Sequence, residues 1–266
     1  MTHYSEKQPK THYRGYTATI FFCIHLMAAL PAFGVEIIAF GDSITAGTGS
    51  NSGGYPLQLQ KMIQSTGKPC TIYNLGIPGE RTHQGVKRID SVLDSIHADM
   101  ILIMEGTNDI RSGFPWQTTK LNLQLMIDKA KAKGVTPILA TLTPSDQVNS
   151  EQLIPYKWNP MIKELAKQNG IPLVDQYSAI ESSWQSLNGD GIHPNDRGYL
   201  FLAKTWNVSI EEMITSKGIF IHPNRFNLQF ILLGLAATIF LYLPLRKKVK
   251  IKSTTTVLFN RKRQRR

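Results

Sequence analysis

The sequence predicts an α/β fold in which a parallel sheet lies between two layers of helices. Short apolar runs of strand length alternate with longer segments of helical periodicity. Glycines stand where three of these helices would end, at Gly67, Gly134 and Gly170. The 266 residues, 42% hydrophobic and 18% charged, suffice for one sizeable core with appendages. Because strands and helices alternate strictly, the sheet should be parallel and covered on both faces.

Five short apolar runs fit the buried strands of such a sheet. A parallel sheet covered on both faces requires strands that are apolar along their whole length. The predicted strands are Val35–Phe40, Thr71–Asn74, Met100–Met104, Ile138–Leu142 and Pro172–Val174.

Segments of helical periodicity lie between and after these runs. The predicted helices are Tyr55–Gln64, Gly85–Ile96, Leu121–Lys133, Tyr156–Gln168 and Arg197–Ile214. The apolar residues that share one face of the second helix are Val86, Ile89, Val92, Leu93 and Ile96. Those of the third helix are Leu121, Leu125 and Ile127.

The net charge of +11 is concentrated at the two ends of the chain. Residues 246–266 hold ten basic and no acidic residues, and residues 1–15 carry a net charge of +2. Residues 16–245 therefore carry −1, so the body of the chain is nearly neutral. A nucleic-acid-binding domain would place its basic residues on the folded body, and we expect no nucleic-acid partner.

An uncharged apolar segment, Tyr16–Gly34, follows the basic amino terminus. Ala32 and Gly34 would stand at positions −3 and −1 of a cleavage site, which is typical of a secretory signal peptide. An uncleaved membrane anchor or a buried helix are the alternatives. Residues 1–34 are therefore interpreted as a signal peptide or amino-terminal anchor, followed by a folded domain over residues 35–216.

A second segment, Phe226–Leu245, contains twenty residues without a charge. A helix of that length spans about 30 Å, the thickness of the hydrocarbon core of a bilayer. Arg246, Lys247 and Lys248 follow at once, as expected on the cytoplasmic side of a membrane helix. A core helix or a sorting signal that is removed after export are the alternatives.

These segments predict a membrane-anchored protein with its folded domain, residues 35–216, outside the cytoplasm. Residues 217–225 would be a juxtamembrane linker, and residues 246–266 a basic cytoplasmic tail. The helix and the tail would contact membrane lipid. Cys70 would be the only exported cysteine if the leader is removed, and we expect it in the core.

Four polar motifs stand after predicted strands or before a predicted helix. They are Phe40–Thr45, Asn74–Gly79, Gly106–Asp109 and Asp190–Asn195. Singly, each could be ordinary turn chemistry. In an α/β sheet, however, ligands bind beyond the carboxyl ends of the strands. Together the four motifs supply a nucleophile, oxyanion donors, a general base and a group that orients the base.

With the motifs FGDSIT, NLGIPGERT, GTND and DGIHPN, the sequence resembles the SGNH (GDSL) hydrolase superfamily. The resemblance is to its lysophospholipase-, arylesterase- and thioesterase-like members, and it covers about Val35–Thr215. It implies a three-layer α/β/α fold with a flavodoxin-like, five-stranded parallel sheet. It also implies acyl transfer to water through an acyl-serine.

The resemblance assigns roles to individual residues. Ser43 matches the nucleophile, His193 the general base, and Asp190 the carboxylate that orients His193. The oxyanion hole would consist of the Ser43 N–H, the Gly76 N–H and the side-chain amide of Asn108. No metal and no cofactor are implied.

Other polar residues near the motifs are given structural roles. Asp42 and Asp109 neighbour the catalytic positions, and we expect them to brace their turns by accepting hydrogen bonds from backbone N–H groups. His83 and His97 lack the spacing of metal ligands and are expected at the surface or at a helix end.

The substrate is less clearly indicated. Phe114, Trp116, Leu153, Ile154 and Ile192 are candidates to line an acyl groove. Packing against neighbouring helices is the alternative. Lipid-derived or acyl esters are the expected substrates, with an O-acetyl group on cell-envelope carbohydrate as the alternative. An acyltransferase and a non-catalytic binding module are the remaining functional alternatives.

Overall fold

Five parallel strands form one sheet within residues 34–147 and 150–216, the part of the chain that this computed structural model describes. Their order across the sheet is β2-β1-β3-β4-β5, which confirms the predicted flavodoxin-like arrangement. The strands are β1 (Val35–Gly41), β2 (Cys70–Gly76), β3 (Met100–Met104), β4 (Thr136–Ala140) and β5 (Leu173–Val174).

Helices follow each strand. In chain order they are α1 (Ser43–Ala46), α2 (Gly54–Ser65), α3 (Thr82–Ser95), α4 (Thr107–Arg111), α5 (Trp116–Ala132), α6 (Ser150–Leu153), α7 (Asn159–Asn169), α8 (Gln176–Ile180), α9 (Trp184–Leu187) and α10 (Asp196–Ser216). A π-helical turn, Ile154–Trp158, joins α6 to α7, and a 3₁₀ turn, Glu181–Ser183, joins α8 to α9.

Two apolar cores, one on each face of the sheet, make the fold three-layered. On one face, residues of α2 and α10 pack on the sheet, with Tyr55 and Trp206 stacked at 5.9 Å between ring centroids. On the other face, α3, α5 and α7 supply residues such as Ile89 and Leu165. The central strands alternate their side chains between the two cores, which is why β3 is apolar and buried along its whole length. Cys70 is buried in the first core, as expected.

The structure corrects several predicted boundaries. Strand β4 begins at Thr136, two residues earlier than predicted, because its pairing with β3 starts there. Helix α5 begins at Trp116 and turns a different face to the sheet, so Leu121 and Leu125 are 61% and 38% exposed. The segment between β4 and the predicted helix Tyr156–Gln168 is already helical from residue 150.

Among the described residues, no helix combines the length and the apolar character needed to cross a bilayer. The predicted leader before Gly34 lies outside those residues. So do the linker, the predicted membrane helix Phe226–Leu245 and the basic tail.

Candidate active site

Three strands end at the same level of the sheet. Gly41, the last residue of β1, is paired with Gly76 of β2 on one side and with Met104 of β3 on the other. The motifs that follow these strands are thereby brought to one edge, beyond the carboxyl ends. This is the position in which α/β sheets bind ligands.

Close packing at the end of β1 requires a glycine. A Cβ on Gly41 would lie 2.3 Å from the carbonyl oxygen of Met104 and 2.4 Å from Thr45 Oγ1. Real Cβ atoms do not approach other atoms so closely, so a larger residue would push the turn away from the sheet. Gly41 therefore lets the chain reverse at once and start a helix with Ser43.

Ser43 is the first residue of α1, a single helical turn. Asp42 is its N-cap, and Asp42 Oδ1 accepts a hydrogen bond of 2.9 Å from the Ile44 N–H. Gly47, with φ of 88°, ends the turn. Ser43 is 8% exposed, so most of the residue is shielded from solvent. Its backbone N–H, in the first turn of a helix, has no intrahelical acceptor.

His193 lies on a loop that closes on itself. Asn188 and Pro194 form an antiparallel bridge, and the Gly189 N–H donates to the His193 carbonyl at 2.7 Å. The side chain of Asn195 then caps α10 by accepting from the Gly198 N–H at 3.1 Å. The loop is fixed at both ends, which holds the imidazole over α1.

One chain of hydrogen bonds joins Ser43, His193 and Asp190. Ser43 Oγ lies 2.9 Å from His193 Nε2, and His193 Nδ1 lies 2.7 Å from Asp190 Oδ2. Asp190 Oδ1 accepts from the backbone N–H groups of Ile192 and His193 at 3.0 and 2.7 Å. A carboxylate on Nδ1 favours the tautomer that carries its proton there. Nε2 is then free to accept the proton of Ser43.

The charge on Asp190 fits this arrangement. Partial burial would raise the pKa of Asp190, but the hydrogen bonds from the His193 N–H, the His193 ring and the Ile192 N–H outweigh it and lower the pKa to about 2. Asp190 therefore stays ionised at neutral pH, where it can stabilise an imidazolium.

Asn108 lies beside this chain of hydrogen bonds. It belongs to α4, which follows Gly106 at a φ of 130°. Its Nδ2 donates to the Glu80 carbonyl at 2.9 Å, and Asp42 Oδ2 is a more distant acceptor at 3.4 Å. Arg111 donates to Asn108 Oδ1 at 3.3 Å, which fixes the orientation of the amide. One amide hydrogen is thus held by a long bond that a better acceptor could replace.

The third predicted oxyanion donor requires a correction. The Gly76 N–H donates to the side chain of Asn74 at 3.1 Å, so it is not available unless that bond breaks. Gly79, in the same motif, has a φ of 79° and open space where a side chain would be. It precedes Glu80, whose carbonyl binds Asn108. The backbone N–H of Gly79 therefore suits the role of an oxyanion donor better than that of Gly76.

Asp42 braces its own turn, as expected, whereas Asp109 joins α4 to the start of α3. Asp42 caps α1, and Asp109 accepts from the N–H and the hydroxyl of Thr82 at 2.9 and 2.6 Å. Burial raises the pKa of Asp42 to about 6, although the hydrogen bond from the Ile44 N–H opposes it.

Two further acidic residues near Asp42 and Asp109 were not singled out from the sequence. Glu80 is 4% exposed and pairs with Arg88 of α3. Glu105 is 1% exposed, and neither of its carboxyl oxygens has a hydrogen-bond partner among the described residues. Burial, reinforced by the carboxyl groups of Asp42, Glu80 and Asp109, holds the pKa of Glu105 well above its usual range. Glu80 could have been found from the sequence, because it is the acidic residue of the NLGIPGERT motif.

Two of the proposed substrate-lining residues are partly exposed near the motifs. Phe114 follows α4 and meets the His83 ring edge-on, with 5.7 Å between centroids. Ile192, between Asp190 and His193, is also partly exposed.

The other proposed lining residues are placed differently. Ile154 is fully buried in the core, so it offers no surface to a substrate, and Leu153 packs against that core. Trp116 belongs to a separate surface pocket of about 310 Å³, which contains none of Ser43, Asp190 and His193. That pocket is lined by Trp116, Lys120, Tyr156, Lys157, Met161 and Glu164.

His97 is exposed, and His83 is partly buried near the start of α3, where a surface or helix-end position was expected. Within the described residues, no three His, Cys, Asp or Glu side chains are grouped so that they could hold a metal ion.

Comparison with known proteins identifies what the chain is similar to. Residues 39–200 match the family model described as the GDSL-like lipase/acylhydrolase family. An arylesterase of Vibrio mimicus is 25% identical over 187 residues, which cover 70% of this chain and 91% of that protein. Thioesterase 1/protease 1/lysophospholipase L1 of Escherichia coli K12 is 26% identical, covering 69% of this chain and 86% of that protein.

The fold is also found in solved structures. The psychrotrophic esterase EstA of a Pseudoalteromonas species, in a structure inhibited by monoethylphosphonate, superimposes with a TM-score of 0.59. It is 20% identical, and the match covers 68% of this chain and 99% of that one.

Proposed function

The chain belongs to the GDSL-like lipase/acylhydrolase family of the SGNH superfamily and is an enzyme that acts on ester bonds, and we propose that it does so through an acyl intermediate on Ser43. The observation that carries this proposal is the hydrogen-bonded chain from Ser43 Oγ through His193 to Asp190, with distances of 2.9 and 2.7 Å. Nucleophile, base and orienting carboxylate stand in the order that acyl transfer requires.

In the first half of the reaction, Ser43 Oγ attacks the carbonyl carbon of the ester. His193 Nε2 takes the hydroxyl proton, and Asp190 stabilises the resulting imidazolium. The tetrahedral intermediate collapses as the bond to the leaving alcohol or thiol breaks. His193 returns the proton to that leaving group, and the acyl group remains on Ser43. Water then repeats the sequence, releases the carboxylic acid and restores the Ser43 hydroxyl.

The tetrahedral intermediate carries negative charge on the former carbonyl oxygen. The Ser43 N–H, in the first turn of α1, is one donor to it. The Asn108 amide is a second donor, since its 3.4 Å contact with Asp42 is easily replaced by a bond to an oxyanion. For the third donor we assign the Gly79 N–H in place of the Gly76 N–H, which Asn74 occupies.

We propose lipid-derived or acyl esters as the substrate class. The names of the arylesterase and lysophospholipase relatives support this choice. The partly exposed Phe114 and Ile192 offer apolar surface near the reacting groups. Acetyl groups on envelope carbohydrate are the second candidate, and an acyltransferase would differ only in using an alcohol instead of water.

We also propose that the enzyme is membrane-anchored, with its catalytic domain outside the cytoplasm. The uncharged segment Phe226–Leu245 and the basic residues that follow it support this topology. A chain truncated before Phe226, with its leader kept, should be secreted as soluble active enzyme. Protease added to intact cells should spare the tail of the full chain. Digestion of the tail under those conditions would refute this topology.

The activity is tested with a p-nitrophenyl ester series of increasing acyl length, beside a lysophospholipid and an acetylated glycan. Ser43→Ala should lower kcat by about 10⁴- to 10⁶-fold while the melting temperature stays near that of the wild type. Preference for longer acyl chains supports the lipid proposal, and activity confined to acetyl esters supports the carbohydrate alternative. Ester transfer to added alcohols identifies an acyltransferase. Near-normal turnover by folded Ser43→Ala would contradict the mechanism.

A further inference from the structure

Arg88 of α3 connects the carboxyl ends of β1 and β2 with the loop that follows β2. Its Nε donates to Glu80 Oε1 at 2.7 Å, and its Nη2 donates to Glu80 Oε2. The same Nη2 donates to the Leu75 carbonyl at 2.9 Å. One guanidinium therefore binds both the end of β2 and the loop that follows it, in the two-pronged geometry that arginine alone provides.

The same side chain also contacts the strand that leads to Ser43. The guanidinium carbon lies 3.8 Å from the ring centroid of Phe40, and Nη2 lies 3.5 Å from the Gly41 carbonyl. Phe40 and Gly41 are the last residues of β1 before the Ser43 turn. Arg88 thus fixes the nucleophile strand and the loop after β2 relative to each other.

The loop in turn holds the side chain of Asn108. The backbone carbonyl of Glu80 accepts from Asn108 Nδ2 at 2.9 Å, so a shift of Glu80 displaces that amide. A continuous series of contacts runs from Arg88 through Glu80 to Asn108. Neither Arg88 nor Glu80 belongs to the hydrogen-bonded chain of Ser43, His193 and Asp190.

The carboxyl groups around Glu80 make its ion pair with Arg88 sensitive to substitution of either partner. Glu80 is 4% exposed, and the carboxyl groups of Asp42, Glu105 and Asp109 lie in the same region. Within the described residues, Arg88 is the only basic side chain paired with Glu80. A buried carboxylate that loses its partner is strongly destabilised, so the loop would move to regain water.

We propose that Arg88 and Glu80 are positioning residues that set the oxyanion donors, above all the Asn108 amide, relative to Ser43. This inference rests on the proposed esterase function. The pair does not touch the substrate. Its contribution is the placement of a donor, and a displacement of about 1 Å can cost on the order of 10²-fold in rate. Changes in the pair should therefore lower kcat and leave KM nearly unchanged.

The test compares Arg88→Lys and Glu80→Gln with a control on the same helix. Arg88→Lys keeps the charge but loses the two-pronged bond, and Glu80→Gln keeps the shape but loses the charge. Asp90 also belongs to α3, and Asp90→Asn removes its exposed ion pair with Lys129 of α5 and should leave kcat unchanged. Either pair variant should lower kcat about 10- to 100-fold. A trifluoromethyl ketone reacts with the serine to form a tetrahedral adduct that carries an oxyanion. Its affinity for each variant should fall in proportion to the loss of kcat.

A double-mutant cycle with Asn108→Ala separates positioning from a merely structural role. If the pair acts through Asn108, Arg88→Lys should cause little further loss of kcat in the Asn108→Ala background. An equal fold-loss in both backgrounds would overturn the inference, as would a lower melting temperature with wild-type kcat. If Arg88→Lys does not fold, the cycle is performed with Glu80→Gln. An inactive wild type that is not labelled at Ser43 would instead reject the proposed function.

Discussion

At the scale of single residues, Asn108 shows how catalytic and structural roles are separated. Its amide lies within hydrogen-bond range of Glu80, Asp42 and Arg111, so it could be a turn residue or an oxyanion donor. The distinction is energetic. A donor to the oxyanion gains most of its bond strength only when negative charge develops on the substrate oxygen.

Asn108→Ala should lower kcat by about 10²- to 10³-fold, or about 2.7–4 kcal/mol, with a much smaller change in KM. Asn159→Ala is the control, because the buried Asn159 amide bonds the backbone of Leu142 at 2.8 and 3.1 Å. That variant should lose stability and keep its kcat. Melting temperature and kcat are measured on the same preparations. An Asn108→Ala enzyme with a low melting temperature and wild-type kcat would leave Asn108 outside the oxyanion hole.

Glu105 gives a prediction for stability against pH. Burial raises its pKa well above the ordinary value of about 4.3, so the folded state keeps a proton that the unfolded state loses. Above pH of about 4.3, this group therefore makes the free energy of unfolding fall as pH rises, until the folded-state pKa is passed. Glu105→Gln cannot titrate and should lack that part of the slope.

Urea denaturation at pH 5, 6.5 and 8 measures this slope. Relative to the wild type, Glu105→Gln should become more stable as the pH rises. Glu164→Gln, which changes an exposed glutamate on α7, should follow the wild-type curve in parallel. Parallel curves for Glu105→Gln as well would mean that Glu105 is ionised in the folded protein.

At the scale of elements, the placement of His193 depends on how closely α10 approaches α9. A Cβ on Gly198 would lie 2.2 Å from the carbonyl oxygen of Leu187 and 2.8 Å from Pro194 Cβ. Gly198 is therefore required by packing, and the loop that carries His193 lies directly against it. By contrast, a Cβ on Gly189 in the same loop would meet its nearest atom, the His193 carbonyl oxygen, at 3.5 Å.

Gly198→Ala should lower the free energy of unfolding by about 1–3 kcal/mol, because the first turn of α10 must move away from Leu187. The shift of Pro194 should also weaken the contact between His193 and Ser43 and so reduce kcat. Gly189→Ala fits the available space and should have little effect on either quantity. Urea denaturation and steady-state kinetics compare the two variants. Equal effects of both would show that the contact with Leu187 is not what fixes the loop.

At the scale of the whole molecule, alternation of apolar runs and helical segments was sufficient to predict a parallel sheet between two layers of helices, whereas the strand order was implied by the resemblance to the SGNH superfamily. The rule that ligands bind beyond the carboxyl ends of parallel strands brought the motifs of Ser43 and Asn108 to one edge of the sheet. His193, on a loop before a helix, was assigned by the resemblance. The prediction of the layers and of the edge that carries Ser43 and Asn108 succeeded because both depend on local periodicity and on topology, which leave direct signals in the sequence.

Other features depend on individual side-chain contacts or on the packing of whole helices, and the sequence pattern did not predict them. The side chain of Asn74 accepts from the Gly76 N–H, and the glycine in the motif gives no sign of that bond. The Arg88–Glu80 pair joins a loop and a helix by a contact that no motif spacing encodes. The exposed face of α5, with Leu121, is set by how the whole helix packs.

The central claim is that Ser43 is the nucleophile of an ester hydrolase, and covalent labelling tests it most directly. The wild-type enzyme is treated with a fluorophosphonate, digested, and analysed by tandem mass spectrometry. We predict one phosphonyl group per chain, on Ser43, with loss of esterase activity in proportion to labelling. Ser43→Ala should remain unlabelled, and His193→Ala should be labelled far more slowly because its serine has no base. Stoichiometric labelling at another residue, or equal labelling of Ser43→Ala, would contradict the claim.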